Sequence, residues 1–141
     1  MITLDNQTHY PLSTDTLEAI LSWLSTREVE LTLCDDATIA TLNAQYRSQN
    51  RATDVLSFPI ESDFEFMPLG SVVISLDRAT QVATELGHTI DDEIALLFIH
   101  GVLHLLGYDH EVDGGEMRAK EVEIIEVFGL PLSLIVRTQE G

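Results

Sequence analysis

Eleven residues, His100-Gly101-Val102-Leu103-His104-Leu105-Leu106-Gly107-Tyr108-Asp109-His110, constrain this chain more than any other stretch. The apolar run leading into them predicts a helix. On it His100 and His104, four positions apart, project from one face, about 6 Å apart at Cβ. At that spacing two imidazoles reach one zinc ion at about 2.0–2.1 Å. Gly107 breaks the helix, so the chain can turn back and let His110 supply a third nitrogen. Three protein ligands leave a fourth position open for water, the plan of a catalytic rather than a structural zinc site. His9 and His88 stand alone and read as surface or core residues. Ile94, Leu97, Val102 and Leu105 are expected to pack inward and anchor the helix. Asp109 is one candidate acceptor for a second imidazole nitrogen, and a solvated turn residue is the alternative.

The histidines and the glycine match the zinc-peptidase pattern H-E-x-x-H-x-x-G-x-x-H. One element is missing. Gly101 stands where those enzymes carry the general-base glutamate, so peptide hydrolysis by their route is disfavoured. Water activated by the metal remains a nucleophile, and in RNA the substrate's own 2′-hydroxyl is another. The expectation is a metal-dependent hydrolase with one zinc ion. Imidazole ligands also suit nickel, copper and iron, so the spacing does not select the metal.

The chain has 141 residues, 45% of them hydrophobic, enough for one domain over 1–141 with a core of its own. Its one cysteine, Cys34, has no partner for an internal bridge, which fits a reducing compartment. No apolar run has the length of a signal peptide or a membrane span, so a cytoplasmic protein without membrane contact is expected. Seven Lys+Arg stand against twenty-four Asp+Glu, a net charge of −17. Such a surface repels polyanions at long range. It excludes the general nucleic-acid affinity that many Lys and Arg contacts to phosphate provide. A nucleic-acid substrate would have to be gripped locally or delivered by a partner.

Residues 1–10 read as a short edge strand. Ser13 or Thr14 can cap a helix with Leu17, Ile20, Leu21 and Leu24 on one stripe. Val29–Leu33 alternates as a half-buried strand. Asp35 or Asp36 caps a helix expected to carry Ile39, Leu42 and Tyr46 on one face. Residues 47–54 read as a loop. Val55–Ile60 reads as a strand that Pro59 ends or confines to an edge. An acidic loop, 61–69, leads to the strand Ser71–Ser75. Ala79, Val82, Ala83 and Leu86 mark a helix stopped by Gly87. Thr89 and Asp92 open the histidine helix, which runs to Leu106. A last helix, 113–128, carries Met117, Ile124 and Phe128 and ends at Gly129 and Pro131. The sum is an α+β fold: about four strands in a mixed sheet, about five helices, and a zincin-like metal-binding helix.

The same residues resemble a known family. HGVLHLLGYDH over His100–His110 is similar to the signature of the YbeY endoribonucleases, also called rRNA maturation factors. Asn43-Ala44-Gln45-Tyr46-Arg47 and Thr53–Pro59, reading TDVLSFP, resemble its N-x-x-Y-R and TDVLSFP blocks. Leu69–Ser75 looks like a third block, and the likeness runs from about residue 30 to 128. It implies that His100, His104 and His110 bind zinc and that Arg47 is an active-site arginine. It also implies a single-strand endoribonuclease that matures the 3′ end of small-subunit (16S) rRNA and serves ribosome quality control. RNA, small-subunit ribosomal proteins and assembly factors would be its partners. Arg47 alone reads as a helix-end arginine facing the C-terminal dipole. Its fork also suits phosphate, and Arg51 could add a contact. Ser71 departs from the family, which commonly carries an acid after the glycine. Two other functions stay open: a metal-binding ribosome-assembly factor with little catalysis, and a zincin-like metallopeptidase.

Overall fold

Alternating apolar residues build a four-stranded mixed sheet in the computed structural model, which describes residues 1–48, 53–60, 64, 66–109, 112–131 and 134. The strands are β1 (Ile2–Asn6), β2 (Val29–Cys34), β3 (Val55–Pro59) and β4 (Gly70–Ser75), in the order β1-β2-β4-β3. β1, β2 and β4 run parallel, and β3 returns antiparallel along β4. Five helices complete the α+β fold: α1 (Asp15–Leu24), α2 (Asp36–Arg47), α3 (Leu76–Leu86), α4 (Ile90–Leu105) and α5 (Glu116–Val127). Pro59 closes the edge strand β3 opposite Gly70, a place where a missing N–H costs the sheet little.

Strand alternation divides the core between two faces. Val29, Leu31 and Leu33 of β2, with Val72 and Ile74 of β4, meet Leu17 and Leu21 of α1 and the inner side of α4. Cys34, Leu56 and Val73 point the other way, beneath Ile39 of α2. Burial pushes the Cys34 thiol up to about 11, helped by the nearby carboxylates of Asp35, Asp36, Asp77 and Asp5, so it stays a neutral packing group.

α4 is enclosed on nearly every side. Ile94, Leu97, Phe98, Val102 and Leu105 lie on the sheet. Ile99 and Leu103 pack against Ile20 of α1 and Met117 and Ile124 of α5. Each such side chain contributes about 1.5–3 kcal/mol by leaving water, which makes α4 the anchor of the fold. Thr89 caps it, Oγ1 accepting from the Asp92 amide at 3.1 Å. Asp35 caps α2 in the same way, accepting from the Thr38 amide at 2.8 Å. For α1 the Thr14 side chain makes no cap bond, and Ser13 Oγ accepts only a long one, 3.4 Å, from the Asp15 amide.

The apolar stripe of α2 grades from core to surface. Ile39 is buried, Leu42 packs partly buried beside it, and Tyr46 is 67% exposed. Its ring instead stands edge-on to Phe58.

Gly70 has φ +152°, and a Cβ there would lie 2.3 Å from the Phe58 carbonyl oxygen and 2.8 Å from Pro59 Cα. Both obstacles are backbone. Gly70→Ala should therefore destabilise the protein by about 3 kcal/mol or more, read as a lower denaturation midpoint with an unchanged slope.

Candidate active site

The end of α4 sets the site. Gly107 adopts φ +100°. Its amide donates to the His104 carbonyl at 3.0 Å, and the Tyr108 amide donates to the Leu103 carbonyl at 3.0 Å. This is a Schellman turn, which satisfies two carbonyls that a helix end leaves open. The turn also carries the Tyr108 carbonyl back over the helix, where it accepts from His104 Nδ1 at 3.0 Å.

His100, one turn earlier, is held from another element. Its Nδ1 lies 3.0 Å from Oε1 of Glu121, a carboxylate of α5 that is only 5% exposed. A carbonyl and a carboxylate accept but do not donate, so Nδ1 of each neutral ring carries the proton. Both Nε2 atoms then present lone pairs, and they lie 3.1 Å apart. Two lone pairs at that distance repel each other unless a cation sits between them. Two nitrogens bound to one tetrahedral zinc at about 2.0–2.1 Å stand roughly 3.3 Å from each other, so the donors fit a metal ion. His110 lies outside the described residues, and no three candidate metal ligands gather among those described.

The two rings face a cleft of about 420 Å³ lined by Arg47, Thr53, Asp54, Val55, Ser57, Pro59, His100, His104 and Asp109. Arg47 reaches it from the last turn of α2, and Val55, Ser57 and Pro59 line it from β3. Next to His100, Gly101 brings α4 against the sheet. A Cβ on residue 101 would lie 2.7 Å from Val72 Cγ1 and 3.2 Å from Ser57 Oγ, and Ser57 Oγ donates to the Gly101 carbonyl at 3.1 Å. Thus Gly101 is more than a missing glutamate. Its side-chain direction is filled by the sheet.

The sequence profile of the endoribonuclease YbeY family matches residues 3–129. A relative of that name from Nautilia profundicola is 56% identical over 140 residues, covering 99% of this chain and all of its own. Another from Wolinella succinogenes is 56% identical over 140 residues, covering 99% of both chains. A solution structure of a Thermotoga maritima protein superposes with a TM-score of 0.62 at 30% identity, over 92% of this chain and 90% of that one. The chain belongs to the YbeY family. Membership makes it an enzyme of the hydrolase class expected from the histidine spacing.

Most of the residues singled out by the YbeY resemblance come together. His100, His104 and Arg47 share the cleft, and Thr53 and Asp54 line it; Arg51 lies outside the described residues. Ser71, the departure from the family pattern, falls on the α2 face of the sheet, opposite the histidine face. It pairs with Glu30 and Phe58, and its Oγ donates to Glu30 Oε2 at 3.0 Å.

Sequence reasoning missed the two groups that orient the rings. Glu121 accepts at Nδ1 of His100 and the Tyr108 carbonyl at Nδ1 of His104. Glu121 had one legible sign, an acid on the buried stripe Met117–Glu121–Ile124 of α5. His88 lies away from the cleft, buried against Glu93 at 2.8 Å, and His9 is exposed.

In mildly alkaline solution without metal, long-range ¹H–¹⁵N spectra should show His104 as the Nδ1–H tautomer. An Nε2–H signal for that ring would contradict the geometry.

Proposed function

We propose that this chain is a zinc-dependent endoribonuclease that cuts single-stranded RNA. On this reading it acts in the cytoplasm, in maturation of the 3′ end of small-subunit (16S) rRNA and in ribosome quality control. The observation that carries it is the pair of Nε2 atoms 3.1 Å apart in a cleft that Arg47 also lines. Relatives that bear the name endoribonuclease support RNA as the substrate.

His100, His104 and His110 would hold the ion. When bound, zinc supplies Lewis acidity toward water and the phosphoryl oxygens. The remaining tasks fall to the chain's own groups. Glu121 and the Tyr108 carbonyl keep a proton on each Nδ1, which puts the ring lone pair on Nε2, the atom that would bind the ion. Arg47 offers phosphate a planar fork and steadies the charge that builds on its oxygens. Among the described residues, Asp54 and Asp109 are the carboxylates that line the cleft. They are the groups available to take a proton from an attacking hydroxyl, the 2′-hydroxyl of RNA included. A peptidase mechanism finds no support, since the place of its glutamate is packed against Val72.

The net charge of −17 bears on delivery. Free RNA is repelled until it reaches the cleft, which favours presentation by small-subunit ribosomal proteins or an assembly factor.

Chelation should stop cleavage of a single-stranded RNA, and added zinc should restore it. His104→Ala and Arg47→Glu should each lower kcat by about 10²-fold or more while circular dichroism shows the fold intact. Elemental analysis of protein purified without a nickel column should find zinc in the parent and little in His104→Ala. Undiminished cleavage by either folded variant would refute the assignment.

A further inference from the structure

Tyr46 is large, exposed and idle in the core. It precedes Arg47, which lines the cleft, and its ring stands 5.3 Å from that of Phe58 at 64°, an edge-to-face pair. Phe58 stands on β3 between Ser57 and Pro59, which line the cleft, and by strand alternation its side chain turns to the α2 face. The aromatic pair therefore stands across the edge strand β3 from the histidine face, next in sequence to Arg47, which lines the cleft. An edge-to-face neighbour holds a ring in a fixed pose and leaves part of its face to solvent. The rest of the Tyr46 ring is open: 67% of the residue is exposed.

The cation inventory gives that open ring a purpose. Among the described residues, Arg47 is the only Arg or Lys side chain lining the cleft. Arg27 donates to the Met67 and Pro68 carbonyls, Arg78 lies beside Asp36, and Lys120 stands over Trp23. A grip built on phosphate contacts scales with their number, and here that number is small. Stacking on an aromatic ring needs no positive charge and works with every base.

We propose that Tyr46, propped by Phe58, is a stacking platform for an unpaired nucleobase of the strand whose phosphodiester lies in the cleft; this rests on the endoribonuclease reading above. The platform supplies affinity that an acidic protein cannot draw from phosphate. It also selects unpaired RNA, since a base within a duplex has no free face to offer. It tolerates any base and favours purines, whose π surface is larger.

The test uses a short single-stranded RNA with 2-aminopurine moved along it position by position, bound to the full chain. Stacking quenches that fluorophore. The parent should quench it at one position, and Tyr46→Phe should retain the quench. Tyr46→Leu should lose the quench and weaken binding roughly 5- to 100-fold, with the same strand's cleavage showing the loss in KM rather than kcat. Circular dichroism checks that the exposed substitution leaves the fold intact. Equal quench and affinity in Tyr46→Leu and the parent, with the strand still cut, overturns the platform alone. A parent that neither binds nor cuts the strand overturns the platform and the endoribonuclease reading together.

Discussion

Two imidazole nitrogens aimed at each other from 3.1 Å make an arrangement that a folded chain does not reach by default. Left to themselves the rings would rotate apart and hydrate their lone pairs. They are held from behind, each by an acceptor at 3.0 Å on Nδ1. The acceptors are of two kinds. Glu121 belongs to α5, so the pose of His100 depends on how α5 packs against α4 through Met117, Ile124, Ile99 and Leu103. The Tyr108 carbonyl belongs to the turn that ends α4, so the pose of His104 depends on Gly107 and its positive φ. Enclosing α4 by apolar contacts on nearly every side makes both dependencies rigid.

The sheet contributes by coming close. At Gly101 the helix lies against Val72 and Ser57 with no room for a methyl group, and this sets the histidine pair just beyond the edge strand β3. An edge strand is where a second element can reach round, and α2 does so with its last turn, bringing Arg47 to the cleft. The same edge is kept from pairing with another chain by Pro59, whose ring has no N–H to offer. A site at an edge is open to a long polymer, as a site beneath a sheet would not be.

Much of this was legible in the residues, for reasons that differ by feature. His100 and His104 were legible because helix periodicity is local: four residues fix a shared face whatever surrounds it. The caps at Asp35 and Thr89 and the turn at Gly107 are local too, each needing only a side chain and a neighbouring amide or a permitted φ. Glu121 was harder. It meets His100 across 21 positions of sequence, and an acid on an apolar stripe signals only that it has some partner. The Tyr108 carbonyl was not legible at all, because a backbone acceptor carries no residue-type signal. The shared face of Ile39, Leu42 and Tyr46 is local as well, but periodicity does not say how deeply each position on it is buried, and Tyr46 is exposed.

The closeness at Gly101 also bears on the chemistry. A zinc peptidase draws its base from the residue after the first histidine, and here that direction is taken by the sheet. Proton removal then has to come from the open side of the cleft, where Asp54 and Asp109 stand among the lining residues. On the endoribonuclease reading this arrangement suits a substrate that brings its own adjacent hydroxyl, because the acid need only take a proton and need not also position water. RNA has that hydroxyl and DNA does not. Preference for RNA would then follow from packing a helix glycine against the side chains of β3 and β4, rather than from any group that reads the sugar.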